Sequence, residues 1–153
     1  MEFETTAEKR FRLKKECKSG ARWFYWVAGL SIIHEVLLQI FNGWNIALGL
    51  GIMPIINGVF PGGLVPAVIL SGLFLLFGKM ATQGHRWAFL TGSILYTLDG
   101  VLFIPFINYI GLGLHVFALF WILRGLRANY KLIEIERKTV KVSKERMIRN
   151  VAF

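Results

Sequence analysis

A chain of 153 residues is long enough for about one domain, and this one is 55% apolar and only 18% charged, where soluble domains carry roughly 25% charge. Its 18 Lys and Arg outweigh 9 Asp and Glu, yet the stretch from Trp23 to Leu123 holds just Glu35, Lys79, Arg86 and Asp99 as charged side chains. So short a chain cannot hide that much apolar surface from water, which excludes a soluble fold and makes lipid the solvent.

The N-terminal segment, residues 1–21, reads as a basic arm lying at the membrane interface. Thr5 and Glu8 have the spacing of a capping box, Lys9, Arg10, Lys14 and Lys15 would meet phosphates, and Ser19-Gly20 is expected to break the helix before the membrane. The charged region runs for about 22 residues and the apolar segment behind it is long, so it reads as retained rather than as a cleaved signal peptide. Cys17 is the single cysteine and can form no internal disulfide.

A first span is expected over residues 22–41, opening on the aromatic run Trp23, Phe24, Tyr25 and Trp26 at head-group depth. Residues 43–61 are apolar but broken by Gly49, Gly51, Pro54 and Gly58. Residues 62–80, 86–105 and 109–124 form three further spans, the last two joined by a tight turn at Pro105–Asn108. The last helix is expected to continue to about Arg137, and residues 125–153 form a basic tail.

Charge sets the topology. Seven Lys and Arg lie between Lys9 and Arg22 and nine between Arg124 and Arg149, so both termini are expected in the cytoplasm of a cell, or inner, membrane. That requires an even number of crossings, so one of the five apolar segments should not cross. Leaving residues 43–61 on the outer face as a re-entrant or interfacial helix puts the loop with Lys79, His85 and Arg86 inside. The expected fold class is therefore all-α: an integral membrane four-helix bundle with an outer re-entrant helix.

Ionisable groups inside a span cost several kcal/mol and call for partners. His34 and Glu35 in the first span, Asp99 in the third and His115 in the fourth all fall about 9–10 Å below the outer surface at ~1.5 Å per residue. Ser31, Glu35 and Gln39 share one helix face, as do Tyr96 and Asp99. Because the third and fourth spans form a hairpin, Asp99 and His115 should meet. The site candidates are accordingly Glu35, Asp99, His115, Tyr96 and Gln39.

Three readings of this layer stay open. The residues serve as interhelical glue; or they form a ligand, ion or proton site; or His34, Glu35, Asp99 and His115 hold a metal or act as acid and base in an intramembrane hydrolase. The catalytic reading is the weakest. His34-Glu35 lacks the second His that a zinc-protease helix needs, since Leu38 stands at that position, and there is no nucleophile elbow or phosphate loop. No cofactor is expected. Expected partners are anionic lipid head groups, a small solute or ion, and another copy of the chain, but no nucleic acid. A scaffold whose basic arms dock a cytosolic protein is a further alternative.

The runs HRWAFLTGSILYTLDGVLF and LHVFALFWILRGLRA, with GLGIMPIINGVF before them, resemble a group of small prokaryotic membrane proteins of unassigned function. The resemblance covers about half the chain. It implies that Asp99 and His115 belong to a family pattern, and it brings no activity.

Overall fold

Thr5 opens the first helix as a capping box: its hydroxyl accepts the Glu8 N–H at 3.3 Å, and the Glu8 carboxylate accepts the Thr5 N–H at 2.8 Å. The computed structural model describes residues 5–41, 49–59, 64–104 and 109–151. Among these the regular structure is entirely helical: α1 (Thr6–Ile40), α2 (Met53–Val59), α3 (Leu64–Thr82), α4 (Arg86–Val101) and α5 (Tyr109–Val151). Three of them, α1, α3 and α5, are long and apolar enough to cross a membrane. The expected turn at Pro105–Asn108 and the first part of the re-entrant segment lie outside the described residues.

The outside of the molecule is apolar. Val65, Val68 and Ile69 on α3, Ile94, Leu98 and Val101 on α4, and Val116, Phe117 and Phe120 on α5 are all exposed. A continuous surface of this kind has no place in water and fits hydrocarbon.

Buried positions step along the helices by four and three residues. They are Leu13, Cys17, Gly20, Phe24, Val27, Ser31 and His34 on α1, and His115, Ala118, Ile122, Gly125, Asn129 and Leu132 on α5. Ala67, Ser71, Phe74, Gly78 and Ala81 on α3 follow the same rhythm, as do Phe89, Gly92, Tyr96 and Asp99 on α4, with Phe103 in the turn beyond it. A period of 3.5 is that of coiled-coil seams, in which side chains of one helix fill gaps in the next at shallow crossing angles. The main packing of α1 is on α3 and α5, and that of α4 is on the same two helices. Phe24 lies at the centre, its ring 6.0 to 6.4 Å from those of Phe74, Phe77 and Phe89.

The expected break at Ser19-Gly20 does not occur: α1 is continuous for 35 residues, about 52 Å at ~1.5 Å per residue. Gly20 serves contact instead. A Cβ there would come within 2.5 Å of the Gly125 Cα, and one at Gly125 within 2.7 Å of the Gly20 Cα, so the two backbones touch where both side chains are missing. The N-terminal arm packs antiparallel on α5, with Arg10 at 3.6 Å from Glu136 and Arg124 at 3.5 Å from Glu16. Likewise α5 does not stop near Arg137 but runs for 43 residues. These arms form a two-helix stalk because Leu13, Cys17, Leu126, Asn129 and Leu132 bury one another's faces; its exposed ion pairs contribute at most about 1 kcal/mol each.

Between α3 and α4 the chain turns at Gly84, whose φ of 90° suits glycine alone among common residues. The Asn129 side chain donates to the Gly84 carbonyl at 3.1 Å, and the Arg86 guanidinium lies 4.2 Å above the Tyr130 ring. This turn and the stalk therefore share one end of the molecule. Segment 49–59 lies at the other.

Candidate functional site

Short polar side chains on α1 and α4 hold segment 49–59 by its backbone. On α1, the Ser31 hydroxyl donates to the Val27 carbonyl at 2.8 Å and accepts the Leu50 N–H at 3.2 Å. On α4, the Asp99 carboxylate accepts the Gly51 N–H at 2.8 Å with one oxygen and the Ile52 N–H at 3.0 Å with the other. Those donors sit just ahead of Met53, where α2 begins, so Asp99 satisfies N–H groups that a helix start leaves open. One turn beyond Ser31, the Glu35 carboxylate accepts the Asn57 side-chain N–H at 3.1 Å.

Segment 49–59 can come this close because it carries glycines. A Cβ at Gly49 would collide with the Ser31 backbone, and one at Gly51 would lie 2.6 Å from the Asp99 carbonyl. Leu50 and Met53 enter the core between the polar anchors and are fully buried. Apolar burial and charge-assisted hydrogen bonds act on adjacent residues, so the segment is held from both sides of its backbone.

Asp99 and His115 do come together. The His115 Nδ1 lies 3.9 Å from the nearer Asp99 oxygen, too long for a direct hydrogen bond. His115 Nε2 donates instead to the Tyr96 carbonyl, which fixes the tautomer and leaves Nδ1 as an acceptor. The imidazole lies face to face with the Tyr96 ring, 3.6 Å between centroids. It is buried to 3% exposure, and its Nδ1 has no hydrogen-bond partner among the described residues. A buried imidazole nitrogen in that condition costs about 1–3 kcal/mol.

Beside His115, α1 and α5 part around a cavity of about 330 Å³, at the small end of the ~300–1,000 Å³ usual for ligand sites. Trp23, Trp26, Leu30, Leu114 and Phe117 line it together with His115. Trp26 is 63% exposed and Phe117 52%, so the cavity meets the apolar outer surface of the helices.

The structure thus sets Asp99 on the backbone of segment 49–59 and Glu35 on its Asn57 side chain, with His115 and Tyr96 stacked on each other beside Asp99. Gln39 departs from this: it is exposed, one turn beyond the point where α1 meets α2. His34 is buried on the α1 seam. Among the described residues no three His, Cys, Asp or Glu side chains cluster closely enough to hold a metal, so the quartet His34, Glu35, Asp99 and His115 is not assembled as a ligand set. The reason is geometric: adjacent residues on a helix point ~100° apart, and Asp99 turns toward segment 49–59. The Arg86 guanidinium lies over the Tyr130 ring.

Asn129 is the residue that sequence reasoning misses. It is 1% exposed, and its amide reaches the Gly84 carbonyl and, at 3.6 Å, the Cys17 sulfur, tying α1, the α3–α4 turn and α5 together. Following the helical spacing of His115, Ala118, Ile122 and Gly125 one further turn along α5 would have found it.

Compared with family models, curated proteins and solved structures, the chain has no significant match.

Proposed function

We propose that this chain is a multi-pass protein of the cell membrane that binds a small molecule in the cavity beside His115, without catalysing its conversion. The observation that carries this reading is a cavity of about 330 Å³ with aromatic and aliphatic walls, into which the mostly buried His115 imidazole brings a polar ring. Both Asp99 oxygens are already taken by backbone N–H groups, so a solute or ion is better served at His115 than on the carboxylate. The carboxylates hold segment 49–59 in place, and that segment contributes Gly49 to the cavity wall.

Four crossings suit this arrangement. The 16 residues of α4 rise about 24 Å at ~1.5 Å each, and the tight turn after Val101, in which Leu102, Phe103 and Ile104 donate three residues back, adds ~6 Å at ~2.0 Å each, giving the ~30 Å of a hydrocarbon core. With α4 counted, the basic stalk and the Gly84 turn share the cytoplasmic end and segment 49–59 stands at the outer one.

Native mass spectrometry of the purified protein tests the binding. A small molecule that stays bound, and whose occupancy falls in Ala118→Phe, is expected, because Ala118 lines the cavity. Absence of any bound species, together with no thermal stabilisation by a panel of amphiphiles, would remove the reading.

A second reading rests on the stalk. Lys9, Arg12, Arg124, Arg127 and Lys131 line a groove along it, which suits an acidic cytosolic segment and would make the protein a scaffold or accessory subunit. Deletion of residues 139–153 without loss of any captured partner argues against it.

A further inference from the structure

We infer that a phospholipid with an anionic headgroup lies along the groove between α1 and α5, its phosphate in a cationic pocket at the stalk end and one of its chains in the cavity beside His115. This rests on the cavity being the binding site and names the class of molecule that fills it.

Two helices build the pocket. Arg12, Lys15, Glu16 and Ser19 of α1 and Trp121 and Arg124 of α5 line a space of about 300 Å³. Three cations stand there against one carboxylate. Glu16 lies 3.3 Å from Arg12 and 3.5 Å from Arg124 and so holds the two guanidiniums on one centre, while both stay about half exposed. The excess of positive charge calls for an anion. A tetrahedral phosphate offers oxygens to donors on both helices, where a carboxylate has only two, and guanidinium forks match it well. Basic pockets between helices at the cytoplasmic border suit lipid head groups for this reason.

Pocket and cavity belong to one groove. On α1, Glu16, Ser19, Trp23, Trp26 and Leu30 follow one another at steps of three and four residues, and on α5 Arg124, Trp121, Phe117 and Leu114 do the same in the opposite direction, so each row keeps to one helix face. The first members of each row line the pocket and the last line the cavity. At the join, the Trp23 and Trp121 rings stack with 6.5 Å between centroids, and Phe117 meets them at 5.3 and 6.4 Å. Tryptophans gather where head groups give way to hydrocarbon. From Arg124 to Leu114 α5 rises about 15 Å at ~1.5 Å per residue, half of a ~30 Å hydrocarbon core. The groove therefore descends through one leaflet, cationic at its head and apolar below. Trp26 and Phe117, at the rim of the cavity, are more than half exposed, so a chain enters sideways while its companion stays among the lipids. An acidic protein segment would fill the pocket and leave the cavity empty, and an uncharged lipid would do the reverse.

Native mass spectrometry of the full-length protein in detergent tests this, with dioleoylphosphatidylglycerol, dioleoylphosphatidylcholine, oleate and glycerol phosphate as separate probes. Saturable binding of phosphatidylglycerol is expected, about tenfold tighter than that of phosphatidylcholine or oleate, with no retention of glycerol phosphate. Arg124→Gln should reduce the preference between the two phospholipids about fivefold, the effect of one cation at a lipid surface. Lys141→Gln, which removes an equal charge from the exposed end of α5, should leave it unchanged. Leu30→Phe, which narrows the cavity, should weaken both phospholipids alike. The comparison of probes uses the parent chain and stands even where a variant fails to fold. Equal binding of the two phospholipids, or oleate as tight as phosphatidylglycerol, overturns the phospholipid inference, and weakening by Leu30→Phe in that case leaves a cavity that binds chains. Glycerol phosphate or a soluble oligoglutamate held as tightly as the lipid would mark a pocket for soluble anions and overturn the joint site. Lipid binding that Leu30→Phe does not touch, or no saturable binding of any probe, overturns both the inference and the binding function.

Discussion

Asp99 shows how a charged residue inside a membrane protein can be a structural member. Its two oxygens accept the N–H groups of Gly51 and Ile52, and those donors have no other acceptor among the described residues. Asp99→Ala leaves both amides open, at about 1–3 kcal/mol each in a buried site. Asp99→Asn keeps one acceptor oxygen and sets an amide N–H₂ against the other donor, so its loss should be smaller. Thermal unfolding in detergent is expected to rank parent, Asn and Ala in that order. An Ala variant as stable as the parent would mean that segment 49–59 is held by Leu50 and Met53 alone. The residue types and depths of this layer were legible in sequence, because polar atoms at i and i+4 on an apolar helix stand out. What they bond was not: Asp99 and His115 meet, as the hairpin suggested, but each makes its hydrogen bonds to backbone groups, and the same sequence pattern is compatible with either bonding.

At the scale of helices, the α1–α5 pair depends on two missing side chains. Gly20 and Gly125 face each other so closely that a methyl group on either meets backbone. Gly20→Leu or Gly125→Leu should force the helices apart and cost about 1–3 kcal/mol, the range for overpacking a filled interface. The effect is expected as a lower unfolding temperature and as faster trypsin cleavage at the Lys and Arg of the stalk. A neutral result would show that the stalk is held without this contact. Sequence alone treated Gly20 as a helix breaker, since glycine lowers helix propensity by about 1 kcal/mol. Tertiary contact overrides that preference here: the helix gains an entire packing face on α5, including Leu13 and Cys17. Beyond Arg137, where sequence saw only a basic tail, α5 continues as an exposed helix.

For the molecule as a whole, the Gly84 turn and the stalk lie together, and segment 49–59 lies opposite. In a background with Cys17 replaced by Ser, single cysteines at Gly58, Gln83 and Ser143 should report this with an impermeant maleimide. All three positions are exposed. Gly58→Cys is expected to label on intact cells, and Gln83→Cys and Ser143→Cys only after permeabilisation. Labelling of Gln83→Cys from outside would overturn the four-crossing arrangement and require segment 43–61 to cross.

The sequence by itself determined that the chain is helical with apolar stretches of membrane-spanning length, that most of its charge lies toward the two ends of the chain, and that a few polar side chains share one depth. These follow from local rules, since an apolar run of a given length and a helical repeat need no knowledge of neighbours. The tertiary structure decided what those side chains hold, where α1 and α5 join, and that an apolar cavity meets His115. Those depend on which faces of distant segments fit together, and no local pattern specifies that: a methyl group more at Gly20 or Gly51 would change the answer while leaving the hydropathy of the chain almost untouched.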